Sequence, residues 1–258
     1  MITLTSAQLD AWIMLLVSPL ARILALIASA PVIGNQQFPL TAKIGLAVML
    51  TVLVAPTLPA APPFAPDSAY GLLLLAREVM LGVGMGLAMR VVFAAVTMAG
   101  DVIGLQMGLG FAQFYDPQSS AQVPVIGQFL GLLATLVFLS INGHLLMIAS
   151  LVDSFRNMPP EATLSFASGA MALAQWGGMI IQAAVQLSLP LIASLLITNS
   201  ALAVLTRASP QLNIFAIGFP VTLAVGFISL LLVLPYMVPG FERLFEQGLQ
   251  AMLRVAAH

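Results

Sequence analysis

Apolar residues run through this chain in long uninterrupted stretches, and charges and prolines are sparse enough to act as punctuation. From Asp10 to Ile33 such a stretch predicts a first helix, with Pro19 and Arg22 inside it. Pro31–Pro39, containing Gly34-Asn35-Gln36-Gln37, reads as a turn. Residues 44–66 carry no charge and predict a second helix that ends near Pro56, because Pro59, Pro62, Pro63 and Pro66 follow closely. Asp67-Ser68 is the N-cap of a third helix that reaches at least Val102. The segment Gln106–Gln122, the most polar and turn-rich of the chain, reads as a loop. Pro124 suits the first position of a fourth helix over about 124–155, closed by Met158-Pro159-Pro160. Ala162–Thr206 then runs for 45 residues without a charge, interrupted by Pro190. Unbroken, it would span about 68 Å, over twice a hydrocarbon core. Arg207–Asn213 is a turn. Ile214–Phe241 is a last apolar stretch broken by Pro220, Pro235 and Pro239, and Glu242–His258 reads as a separate amphipathic helix.

Composition fixes the class. Of 258 residues 60% are hydrophobic and 7% charged, where a soluble domain carries about 25% charged residues. Eight Lys+Arg and nine Asp+Glu could not clothe a soluble surface of this size. The expectation is an all-α membrane protein of six to eight helical segments, long kinked helices and hairpins. A net charge of −1 gives no footprint for nucleic acid. Zero Cys excludes disulfides, thiolate metal sites and Cys nucleophiles, and two His leave little for metal or general-base chemistry. Neither a nucleophile–base pair nor a phosphate loop is found, so no enzyme and no cofactor is expected. Ala28-Ser29-Ala30 has the look of a signal-peptide cleavage site. No Lys or Arg precedes that run, however, Asp10 stands before it and Arg22 interrupts it, so residues 10–32 are read as a retained helix. Lys and Arg are too scattered to orient the chain by the positive-inside rule.

Four features stand out from the apolar background. Arg22, Arg77, Glu78, Arg90 and Asp101 lie within apolar helices, where an ionisable group faces a partner or water. An ion path, a structural ion pair and a contact to another subunit are all open readings, with contacts to another helix or subunit favoured. Gly82, Gly84 and Gly86, then Gly100, Gly104 and Gly108, give the third helix faces for close backbone approach. Met80, Met85, Met89, Met98 and Met107 share this region, as deformable core filler or as a conduit seal. The loop places Phe111, Phe114 and Tyr115 amid Gly, Gln and Ser, and irregular backbone at membrane depth is tolerated only when buried in protein or lining a cavity. His144 reads as a hydrogen-bonded structural residue.

Three stretches together carry a resemblance: Gly104–Pro117 (GLQMGLGFAQFYDP), Asn142-Gly143-His144 followed by Leu151–Phe155 (LVDSF), and Ala208–Pro220 (ASPQLNIFAIGFP). With Arg22 and Ala30-Pro31, the chain resembles the FliR/SctT family, the R subunits of type III protein export gates. The resemblance implies a non-enzymatic subunit of a hetero-oligomeric helical pore with P and Q subunits, in the bacterial inner membrane and the flagellar basal body. It further implies contact with the export-switch subunit that has a membrane domain, with proximal rod proteins, with exported flagellar substrates and with membrane lipid. Residues 1–174 would be P-like, and 175–258 a Q-like hairpin with an amphipathic C-terminal helix. The hairpin's turn would contain Pro210, Gln211, Asn213 and Phe215. The loop 106–122 would plug the pore, with Gln106, Met107, Gly108, Gly110, Phe111, Phe114 and Tyr115 in the plug and Phe111, Phe114 and Met107 filling the lumen. Gly82, Gly86, Gly100 and Gly104 would serve packing, and Arg77, Glu78, Arg90 and Asp101 intersubunit polar contacts. The alternatives are a homologous injectisome subunit and a small secondary permease.

Overall fold

The computed structural model describes residues 6–58, 68–111, 124–157, 166–209 and 214–257. These residues form helices and turns: α1 (Ser6–Ser29), α2 (Leu40–Val54), α3 (Ala69–Gln106), α4 (Val125–Ser140), α5 (Gly143–Asn157), α6 (Phe166–Ala208) and α7 (Ile214–Ala257). Single 3-10 turns cover Ala55–Thr57 and Leu109–Phe111. The chain is an all-α membrane protein. Four helical segments among the described residues are long and apolar enough to cross a bilayer, and a fifth span results if α4 and α5 count as one.

Local chemistry explains most boundaries. Ser68 Oγ accepts the Gly71 N–H at 3.1 Å and caps α3, as the sequence predicts. Pro56 sits in the 3-10 turn that ends α2. Pro124 stands immediately before α4, one position earlier than expected.

Three expectations are corrected. The predicted fourth helix is two, α4 and α5, bent by 66° at Ile141-Asn142. Asn142 takes φ 56°, a left-handed conformation that Asn tolerates better than most residues and that a helix does not continue through. Pro190 does not interrupt α6, which runs for 43 residues. Pro220, Pro235 and Pro239 do not divide the last segment either: α7 is one helix of 44 residues that includes the predicted separate terminal helix. A proline removes one helical hydrogen bond and crowds the carbonyl four residues back. In an apolar medium no water competes for the remaining backbone groups, and the helix persists across the defect. As a result Phe215, expected in the hairpin turn, lies in the first turn of α7, while Pro210, Gln211 and Asn213 fall outside the described residues.

The chain gathers into two compact units, one of Met1–Val91, Asn142–Gly177 and Phe245–His258, the other of Val92–Ile141 and Gly178–Leu244. In the first unit Met14, Ile23, Leu26, Leu81, Met85, Met89, Met147 and Leu151 are buried. In the second unit the buried set includes Val96, Ile103, Met107, Leu130, Phe138, Leu191, Leu195 and Phe241, and Phe93 meets Phe138 edge-to-face at 5.7 Å. Of the five methionines in and just after α3, Met85, Met89 and Met107 are fully buried, as core filling predicts, whereas Met80 and Met98 are exposed.

Candidate functional site

In the first unit, α1 and α3 meet through glycine. A β-carbon added at Gly82 would stand 2.7 Å from the Ala25 β-carbon and 3.0 Å from the Leu26 nitrogen, and one at Gly86 would stand 2.8 Å from the Ser29 β-carbon. The contacts advance together along both helices, Gly82 with Ala25 and Gly86 with Ser29, so α1 and α3 run parallel here. One turn before Gly82, Glu78 faces Arg22. Arg22 Nε donates to Glu78 Oε2 at 2.6 Å and Nη2 to Oε1 at 2.9 Å, the two-pronged geometry in which a guanidinium fits a carboxylate. Nη1 donates to Ser154 Oγ on α5 at 3.0 Å, and Ser154 in turn donates to the Leu151 carbonyl at 2.6 Å. The guanidinium carbon also lies 4.2 Å from the centre of the Phe155 ring. Both partners of the ion pair have side chains with no exposed surface. Glu78, which the sequence leaves open to several roles, therefore makes a structural ion pair within its own chain. It joins three helices that the sequence separates by 56 and 132 residues.

Arg77 beside it is buried, whereas Arg90 is exposed. Trp176 Nε1 on α6 donates to the Ala88 carbonyl at 2.7 Å. Trp176→Phe removes that bond while keeping most of the ring, and should lower stability by about 1 kcal/mol, read as a small drop in the melting temperature of the purified chain.

In the second unit the crossing of α3 with α4 is closer still. A β-carbon at Gly100 would lie 2.5 Å from the Gly127 Cα and 2.7 Å from its nitrogen, backbone against backbone. Gly104 is different: its nearest neighbour is an Ile126 side chain at 3.7 Å, an ordinary contact. Asp101 lies at the same crossing, and any β-carbon at Gly127 would strike its Oδ1. That oxygen is buried and accepts no hydrogen bond in the structure. His144, expected to be hydrogen-bonded, is half-buried with no partner for its Nδ1.

The loop leaves α3 at Gln106. Met107 N–H still donates to the Ile103 carbonyl at 2.9 Å, and Gly108 N–H to Leu105 at 3.0 Å. Gly108 has φ 86°, the left-handed conformation that ends helices and that only glycine adopts freely. Gly110 follows in the 3-10 turn, half-buried, and the backbone is described as far as Phe111. Phe114 and Tyr115 lie outside the described residues. Met107 has no exposed surface. It is enclosed by its own chain, which does not fit the expectation that it fills a lumen. Gly127 and Gly226, which form the seats opposite Gly100 and Met107, carry no signal in the sequence that marks them as seats. Each looks like an ordinary helix glycine until the facing helix is known.

Among the described residues there is no group of three His, Cys, Asp or Glu that could hold a metal ion. Residues 13–248 match the family described as Bacterial export proteins, family 1. The chain is 44% identical to the flagellar biosynthetic protein FliR of Pectobacterium carotovorum, over 96% of this chain and 94% of that protein. It is 42% identical to FliR of Escherichia coli over the same shares. With FliR of Bacillus subtilis the identity is 33%, over 92% of each chain. Matched over nearly its whole length, the chain belongs to the FliR family of bacterial export proteins.

Proposed function

We propose that this chain is a non-enzymatic core subunit of the flagellar protein export gate in the bacterial inner membrane. It packs with P- and Q-type subunits around a conduit for unfolded flagellar proteins, and its loop 106–122 closes that conduit. One observation carries the packing part of this reading. Helices α6 and α7, of 43 and 44 residues, each extend about 65 Å, while a hydrocarbon core is about 30 Å thick. Both expose large apolar side chains over more than that thickness, from Met171 to Leu205 and from Ile217 to Leu253. Lipid reaches only part of such a surface, so unlike protein subunits cover the rest. Arg90, which is exposed, is open to polar contacts with those subunits, whereas Asp101 is half-buried with its Oδ1 enclosed at the α3–α4 crossing. The names of the relatives support the flagellar assignment over an injectisome.

Two measurements test the reading. Extracted in mild detergent, the chain should emerge in a large complex with unlike export-gate subunits; recovery alone or as a homo-oligomer would sink the proposal. Deletion of 110–116 should leave that complex assembled and make the membrane leak small ions. An assembled deletion gate with wild-type conductance would remove the closing role from the loop.

A further inference from the structure

Three features follow one another where the loop begins. Helix α3 ends at Gln106, Met107 is fully buried, and Gly108 turns left-handed. The seat that receives Met107 is Gly226 on α7, in the same compact unit. A β-carbon at Gly226 would lie 2.7 Å from Met107 Cγ, 2.8 Å from Cε and 3.0 Å from Sδ. The whole thioether therefore lies flat on a bare α-carbon, and any larger residue at 226 must move it. Methionine is unbranched and adapts to irregular gaps, which suits a side chain laid along a helix groove. Backbone bonds from Met107 and Gly108 tie this residue to the last turn of α3, so a displacement of Met107 that reaches beyond its flexible tip is passed to the helix end.

We propose that Met107 and Gly226 are positioning residues that fasten the α3 root of the loop to α7, with Gly108 as the pivot just beyond the fastening. The inference rests on the reading that the loop closes the conduit, and it reassigns Met107 from filling the lumen to holding the loop that does so. Closure then depends on a glycine 119 positions away from the methionine it seats, a residue on neither side of the loop. Because the pivot lies outside the seat, a loop that turns about Gly108 leaves Met107 in place.

The test uses the complete gate in bacterial membranes. The chain has no cysteine, so a Met107→Cys/Gly226→Cys pair introduces the only two thiols it carries. Side chains this close suit disulfide geometry. Oxidation should crosslink most of the chain internally, and export of an unfolded substrate should continue in the oxidised form. Gly226→Leu should raise the small-ion leak at least tenfold, towards the level of the 110–116 deletion, and adding Met107→Ala should restore tightness by returning the volume. If Gly226→Leu does not co-purify with the other subunits, Gly226→Ala serves instead, since it need only push the methionine tip aside. A Gly226 variant that assembles and stays tight while the loop deletion leaks overturns the anchor and leaves loop closure standing. Failure of the cysteine pair to crosslink overturns the seat itself, whatever the leak. Arrest of export on oxidation overturns a pivot beyond the anchor. A loop deletion that does not leak removes the closing role and the purpose of the anchor together, a result distinct from all the others.

Discussion

Glu78→Gln should deplete the folded chain from the membrane. The substitution keeps the shape of the side chain and removes its charge, so the fully buried Arg22 guanidinium loses the carboxylate that holds it through two hydrogen bonds. Breaking a buried ion pair by removing one partner costs about 3–5 kcal/mol, a large part of the roughly 5–15 kcal/mol that holds a domain folded. Arg22→Met should do less harm. A carboxyl stripped of its cation can neutralise itself by binding a proton, whereas a guanidinium has no such escape. The double replacement Arg22→Met/Glu78→Leu should recover most of the loss, because apolar side chains of similar volume often replace a buried pair without penalty. The abundance of the chain in membranes and its recovery with other subunits measure all three. Wild-type abundance for Glu78→Gln would show that the pair is dispensable.

The second large effect is expected at Gly100. Alanine there meets the Cα and nitrogen of Gly127 and, at 2.7 Å, the Ile126 carbonyl oxygen. All three are backbone atoms, so no rotamer change relieves the clash and α3 must part from α4. Overpacking of side chains costs about 1–3 kcal/mol, and a backbone clash falls at or above the top of that range. The same substitution at Gly104, one turn on, meets only side-chain carbons at ordinary contact distance, Ile126 at 3.7 and 3.8 Å and Leu109 at 3.8 Å. There the gain in helix propensity, about 0.5–1 kcal/mol, should leave the chain unharmed or slightly firmer. Thermal melting of the detergent-extracted complex compares the two; equal effects at Gly100 and Gly104 would refute the close approach.

What could be read from the residues depended on how local the cause was. Ser68 caps α3 and Pro56 ends α2 because each acts on backbone within a few residues. The membrane class followed from composition alone. The break at Ile141-Asn142 is hidden in the sequence because apolar residues continue on both sides, and a left-handed residue leaves no mark on hydropathy. Pro190, Pro220, Pro235 and Pro239 misled in the opposite direction, since a rule calibrated in water overstates what proline does to a helix surrounded by apolar groups. At the candidate site, the clustering of glycines in the third helix points to Gly82, Gly86 and Gly100, whereas nothing in the sequence points to Gly127 and Gly226. A glycine's role as a seat is decided by the side chain opposite, and Met107 lies in a different helix region from Gly226. For the same reason Arg22 could be noticed but not paired.

The Arg22–Glu78 separation also sets an order of events during synthesis. Ribosomes add about 5–20 residues per second, so the 56 residues between the two take roughly 3–11 s to make. For that interval Arg22 on the first helix has been made while Glu78, the carboxylate it pairs with in the folded chain, has not. Burial of the guanidinium against that carboxylate has to follow synthesis of the third helix, so the first helix takes its final seat only after the third is made.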